Sequence, residues 1–261
     1  MGNHMDKTKC VGQGISSCIC NFTGYSDKDS ITRKYSRNVK ISDVRSYGMI
    51  GFIGGTGPEG KGLATRYAMA GEHIFIGSRD RQKGQDVAAS ISKSFNHQIL
   101  GGDNEEAAQK SDIVIICVPY EGHAEILNRL KIHLKHKTVI DVVAPLAFDK
   151  KAISSPKVKE GSAAEQAQLI LPESQVVGAF HNISAHELLK PDSKVCCDVI
   201  VCSNFEDSKK SVIQLAEKID GVRGVDGGVL ANTKYVEQLT ALLLNINKIY
   251  KSHSSIRITG I

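Results

Sequence analysis

Gly55-x-Gly57-x-x-Gly60 separates an apolar run, Met49-Ile50-Gly51-Phe52-Ile53-Gly54, from a helical pattern, and no other feature of this 261-residue chain limits its fold as much. Three glycines at that spacing let the backbone turn tightly, approach a pyrophosphate and press helix on sheet. The helix start offers unpaired N–H groups and the positive end of its dipole. Pro58 falls in the first helical turn, where a missing N–H costs nothing and the fixed φ is already helical. Such a triplet alone also marks ordinary turns; the strand before it, the helix after it and a second strand make it a dinucleotide fingerprint.

That second strand, His73-Ile74-Phe75-Ile76-Gly77, ends in Ser78 and Arg79, with Lys83 one helical turn later. An NAD site places Asp or Glu here to accept from the ribose 2′-OH, whereas a hydroxyl, a guanidinium fork and an ammonium suit a 2′-phosphate dianion. At roughly 1.5–3 kcal/mol per hydrogen bond to a charged group, discounted for exposure, NADP(H) is favoured by about 2–4 kcal/mol, on the order of 30- to 1,000-fold. The competing reading is that these side chains merely decorate a helix start. Asp80 is read that way, as a cap or first-turn acid.

From Met49 onward strands and helices alternate. Strands are expected at 49–54, 73–77, 97–100, 112–118, 138–143 and 175–180, with helices at 60–70, 81–94, 104–110, through Leu127 and Leu130, and at 162–171. Continuous β-branched runs alternating with helices imply an α/β, Rossmann-type, doubly wound parallel sheet with ligands at the carboxyl ends of its strands. Val118 lies at one such end, as a cofactor contact or simply where Pro119 stops the strand. Past residue 181 a strand at 195–202, a helix at 207–219, a glycine-rich turn from Gly221 to Gly228 and a closing helix at 233–250 form a smaller C-terminal α/β lobe. Leu239, Leu242, Leu243, Ile246 and Ile249 give the closing helix a broad apolar face, for core packing, for covering a flat cofactor or for a homodimer contact. The division expected is an N-terminal extension over 1–47, an NADP-binding domain over 48–181 and the smaller domain over 182–261.

Basic residues are scattered and the net charge is only +5, which leaves no nucleic-acid footprint. No apolar stretch approaches the roughly 20 residues of a membrane helix, so a cytoplasmic protein without a membrane partner is expected. Seven cysteines is an odd count. Cys117, Cys196, Cys197 and Cys202 lie in apolar runs and read as reduced, packed thiols. The first 47 residues are polar, Ser-rich and aperiodic, and the spacing of Cys10, Cys18 and Cys20 matches no zinc pattern. A disordered extension is the default reading; Met1 to Met5 also suit an expression scar, and an early start codon would explain the rest.

The stretches Gly54-Gly55-Thr56-Gly57-Pro58-Glu59-Gly60-Lys61-Gly62-Leu63-Ala64 and Gly77-Ser78-Arg79 resemble the NADPH-dependent coenzyme F420 reductases, or F420H2:NADP oxidoreductases. The likeness continues through Ser162-Ala163-Ala164-Glu165, Ala179-Phe180-His181-Asn182-Ile183 and Asn232 to Ile246, covering about residues 49–250. It implies that Thr56, Gly57, Pro58, Glu59, Ser78, Arg79 and Lys83 bind NADP, and that Ala163 lies by the nicotinamide. Two departures fall at the edge of the implied deazaflavin pocket. His181-Asn182-Ile183-Ser184 stands for the family's His-Thr-Ile-Pro, and Tyr120-Glu121-Gly122-His123 for Trp-Glu-His.

Hydride transfer between nicotinamide and deazaflavin needs neither a nucleophile nor a metal, so no essential catalytic residue and no metal site are expected; the protein stacks two rings and excludes water. His181 and Asn182 are the candidate positioning residues, with a satisfied structural histidine as the alternative at 181; His123 is open in the same way. Other readings remain open from sequence: a reductase of a hydroxy acid, imine, flavin or metal chelate, with Lys234 as the nearest proton donor, or a non-catalytic NADPH sensor.

Overall fold

The computed structural model describes residues 48–95 and 97–261, so the extension expected over 1–47 lies outside the described residues. Six strands, β1 (Met49–Ile53), β2 (His73–Ser78), β3 (Leu100–Asp103), β4 (Ile113–Ile116), β5 (Thr138–Asp141) and β8 (Gln175–Gly178), pair in parallel in the order β3-β2-β1-β4-β5-β8. This is the doubly wound order, and its switch point lies between β1 and β4. The central strands carry apolar side chains on both faces because both faces are buried. Ile50, Phe52, Ile74, Ile76, Ile113 and Ile115 pack on one side, and Ile53, Phe75, Val114 and Ile116 on the other.

Helices α1 (Pro58–Met69) and α2 (Arg81–Phe95) cover the first face; α3 (Asn104–Lys110), α4 (His123–Leu134) and α5 (Ala163–Ile170) cover the second. A two-residue pair, β6 (Ala147–Phe148) with β7 (Ile153–Ser154), precedes α5, and a one-turn helix α6 (Ala185–Leu188) follows β8. Neither has a sequence signal, since each spans only about one period of its own pattern. Strand β9 (Cys197–Val201), α7 (Glu206–Ala216), β10 (Val222–Asp226) and the closing helix α8 (Thr233–Tyr250) complete the chain. Gly178 and Cys202 exchange backbone hydrogen bonds of 2.9 Å as an antiparallel bridge, which joins the parallel β9–β10 pair to the edge of the main sheet. The first hydrophobic cluster therefore continues from β8 into Val199, Val201, Val212 and Leu215 without a break.

Two expectations are corrected. The third strand runs over 100–103, three residues later than its apolar text suggests, and the Gly221–Gly228 turn contains β10. Both errors have one cause: glycine here serves packing between elements. A Cβ on Gly101 would lie 2.4 Å from the Gly84 carbonyl oxygen of α2, and one on Gly224 would lie 2.8 Å from Ile213 of α7. Small residues let the covering helices touch these strands, at the expense of the local strand signal. Cys196 is also exposed, because Cys197 beside it takes the inward position at the start of β9.

Two charged clusters tie outlying segments of the chain to the sheet and its helices. Arg66 of α1, buried, donates to the carbonyls of Glu187, Leu188, Lys190, Pro191 and Ser193, tying the α6 segment to α1. Asp198 of β9, fully buried, accepts from Arg223, Arg257 and the Ile258 N–H, which anchors the residues after α8.

Candidate active site

A cleft of about 1030 Å³ opens at the carboxyl ends of β1 and β4, at the upper end of the roughly 300–1,000 Å³ typical of ligand sites. Its floor is the fingerprint loop. Gly54 has φ +73°, and a Cβ there would meet Val118 at 2.8 Å. The Gly55 N–H donates to the Gly77 carbonyl at 2.9 Å, fastening this loop to the end of β2. A Cβ on Gly60 would lie 2.7 Å from the Gly55 Cα, so α1 presses directly on the turn. Pro58 occupies the first turn of α1, as its fixed φ requires.

Thr56, Gly57, Pro58, Glu59, Gly60, Ser78, Arg79, Lys83 and Val118 all line the cleft, together with His181 and Asn182. Gly55 and Ala163 do not. Gly55 forms the turn beneath the wall, and Ala163 is fully buried at the start of α5, where its N–H donates to Glu237 at 3.1 Å. Asn104, which belongs to no motif in the sequence, lines the wall and accepts the Gly54 N–H at 3.0 Å. Only its place after the capping Asp103 would have pointed to it.

At one end of the cleft, Asp80 accepts from the Gln82 and Lys83 N–H groups as the expected cap. Arg81 is drawn away to Glu106 and Asp103. Among the described residues neither the Arg79 guanidinium nor the Lys83 ammonium forms an ion pair, and both border the cleft beside buried Ser78.

The other end carries more apolar groups. Cys117, Val118, Val142, Val143 and Ile183 supply apolar walls, and α8 closes the side with Thr240, Leu243 and Leu244. Phe180 adopts φ +69°, a left-handed conformation rare outside glycine, and this turn delivers His181 into the cleft. Thr240 Oγ1 donates to the His181 carbonyl at 2.8 Å and holds that conformation. The His181 ring is 5% exposed, and neither nitrogen has a protein partner. Burial pushes its pKa down to about 4, with Asp141 opposing, so the ring is neutral with one donor and one acceptor free. Asn182 donates through Nδ2 to the Asp198 carbonyl at 2.6 Å and keeps a buried, unpartnered Oδ1. Burial raises the Glu59 carboxyl, which lines the cleft, to about 8 and keeps it neutral at neutral pH.

Behind the wall, His123 and Asp141 form a fully buried pair at 2.7 Å. Glu237, raised to about 8 by burial against the pull of the Ala163 and Ala164 N–H groups, caps α5 next to them. Lys234 lies over the Tyr235 ring at 4.8 Å and does not line the cleft. Among the described residues no group of three His, Cys, Asp or Glu side chains is arranged to hold a metal ion, and no helix is long and apolar enough to cross a membrane.

Residues 49–145 match the family model described as NADP oxidoreductase, coenzyme F420-dependent. An F420-dependent NADP reductase of Methanocaldococcus jannaschii is 40% identical over 223 residues, covering 81% of this chain and 98% of that protein. Its counterpart in Methanothermobacter thermautotrophicus is 37% identical over 220 residues, covering 81% and 95%. A crystal structure of a putative F420-dependent NADP reductase from Arthrobacter sp. FB24 superposes with a TM-score of 0.71 at 20% identity, covering 82% of this chain and all of that one, a likeness of fold. The chain belongs to the F420-dependent NADP reductase family.

Proposed function

We propose that the protein is an oxidoreductase that transfers a hydride between NADP(H) and coenzyme F420 by direct contact of the two rings. The observation that carries this reading is the asymmetry of the cleft. Unpaired Arg79 and Lys83 with buried Ser78 await a phosphate at one end, and a dry chamber with a neutral, unpartnered histidine lies at the other. The fingerprint loop Gly55 to Gly60 seats the pyrophosphate, and Val118 bounds the nicotinamide, with Ala163 supporting from behind. Nicotinamide and deazaflavin supply the hydride donor and acceptor carbons. The protein supplies orientation, apolar walls that exclude water, and hydrogen bonds from His181 and Asn182 to ring carbonyl, hydroxyl or N–H groups. Residues 48–181 act as the NADP-binding part, and residues 182–261 cover the deazaflavin.

The protein works in the cytoplasm as a homodimer on this reading. Tyr235, Leu239, Leu242, Ile246 and Ile249 of α8 recur at alternating spacings of four and three residues, the period of a helix–helix seam. Three of them, Tyr235, Leu242 and Ile249, are exposed. Spectrophotometric turnover of oxidised F420 with NADPH, run beside NADH, flavins, cyclic imines and ferric chelates, tests the assignment. Reduction of F420 by NADPH in preference to the others is the expected result, and NADPH binding without reduction of any acceptor would make the protein a sensor.

A further inference from the structure

We propose that His123 and Asp141 are a positioning pair that locks together the two loops bordering the dry end of the cleft, an inference that rests on the assigned reaction. His123 opens α4 directly after Glu121 and Gly122, which line the cleft; Asp141 ends β5 directly before Val142, Val143 and Ala144, which line it from the next strand. The 2.7 Å contact between them is the side-chain bond joining these two walls, and both residues are wholly buried. Asp141 uses its other oxygen to accept the Val143 N–H at 3.0 Å, so the loop that leaves β5 is held by the same carboxylate.

The protonation of the pair follows from its neighbours. His123 Nε2 faces a carboxylate, and Nδ1 faces Gln166 Oε1 at 3.1 Å. The Gln166 amide is oriented because its nitrogen donates to Glu160 at 3.3 Å. Both ring nitrogens therefore meet acceptors, and both must carry hydrogen. The groups facing His123 are Asp141 on β5, Gln166 on α5 with Glu160 before it, Glu237 on α8, and the Tyr120 ring 6.2 Å away. Burial opposes the charge, but the Asp141 charge and hydrogen bond, with Gln166 and Glu237, outweigh it and raise the His123 pKa. A raised value means that the imidazolium is complete below the ordinary histidine range and is lost as pH climbs through the raised value. The neutral ring keeps a single N–H, so only one of its two contacts, to Asp141 or to Gln166, stays satisfied while acceptor faces acceptor at the other, and the lock between the walls weakens. Asp141 also lies within electrostatic reach of His181, so the pair sets the field at the ring that reads the substrate.

The pair stands at the ring end and not at the Ser78–Arg79 end, so its loss should divide the two substrates. The test compares wild type with His123→Gln, Asp141→Asn and the double variant, in which a neutral amide pair can replace the ionic one. For each single variant, kcat/KM for F420 should fall about 10- to 100-fold, the effect of a displacement of about 1 Å at a reacting centre. NADPH affinity by equilibrium titration should stay within about twofold, as for independent sites. The double variant should recover most of the loss in F420 binding and turnover and, assayed at saturating NADPH so that Glu59 ionisation does not enter, should lack the part of the alkaline decline that His123 causes. A decline due to Glu237 would persist in it. The ring ¹⁵N shifts of His123 should show a doubly protonated imidazole at neutral pH.

Full turnover in the single variants, parallel loss of NADPH affinity, no recovery in the double variant, or a singly protonated His123 would each overturn the pair. Wild-type protein that binds NADPH and leaves F420 unreduced would instead overturn the assigned reaction.

Discussion

On the proposed reading, replacing Arg79 with alanine isolates the contribution that separates the two nicotinamide dinucleotides. Arg79 borders the cleft and forms no ion pair among the described residues, so its removal leaves no buried charge behind and does not disturb Asp80, which caps α2 through its own Oδ1. A hydrogen bond to a charged group is worth about 1.5–3 kcal/mol, and solvent screening at this exposed position reduces the loss to about 1–2 kcal/mol. NADPH affinity should therefore fall about 5- to 30-fold, while NADH, which lacks the 2′-phosphate, should bind within about twofold of wild type. Paired equilibrium titrations with both reduced dinucleotides, repeated at higher salt, measure the difference, which should narrow as ionic strength rises. Arg81→Ala is the control, since that guanidinium is engaged by Glu106 and Asp103 and should leave both affinities unchanged. Equal losses for NADPH and NADH, or none for either, would refute the placement of the 2′-phosphate.

Gly60→Ala forces a Cβ to within 2.7 Å of the Gly55 backbone, so it should destabilise the fold by about 1–3 kcal/mol in thermal or denaturant melts and abolish NADPH binding. Glu59 is neutral below a pKa of about 8 and ionises above it; with the pyrophosphate beside it as proposed, wild-type NADPH affinity should drop as pH passes that value, and Glu59→Gln should remove the drop in titrations across the neutral and alkaline range. Burial opposes the charge of Asp198, but Arg223, the Ile258 N–H and Arg257 hold its pKa below the usual carboxylate value. Its stabilisation is thus present at neutral pH and lost as acid protonates it, and Asp198→Ala should cost about 3–5 kcal/mol at neutral pH in denaturant melts, with less difference from wild type in acid.

The central sheet was legible because its information is local. Ile113 to Ile116 reads as a strand buried on both faces, and the triplet from Gly55 with Pro58 marks a turn into a helix whatever lies elsewhere. The same holds for Ser78 and Arg79, which follow directly on β2. What stayed hidden depends on distant partners. β10 exists because β9 pairs with it, and Gly224, which weakens the local pattern, is there to admit Ile213. Ala163 was expected at the nicotinamide; that α5 begins on a carboxylate from α8, 74 residues away, is invisible to any window of sequence. The pair of His123 with Asp141, and the left-handed turn at Phe180 that presents His181, likewise belong to the assembled fold.

The central claim is that the two rings exchange hydride directly in a cleft closed to water at its dry end. NADPH carrying deuterium at the transferred position of nicotinamide C4, mixed with oxidised F420 and the full-length protein, tests it by mass spectrometry of the reduced deazaflavin. The account predicts label retained in the product, with NADP⁺ formed in step. Unlabelled product, or deuterium released to solvent, would contradict it.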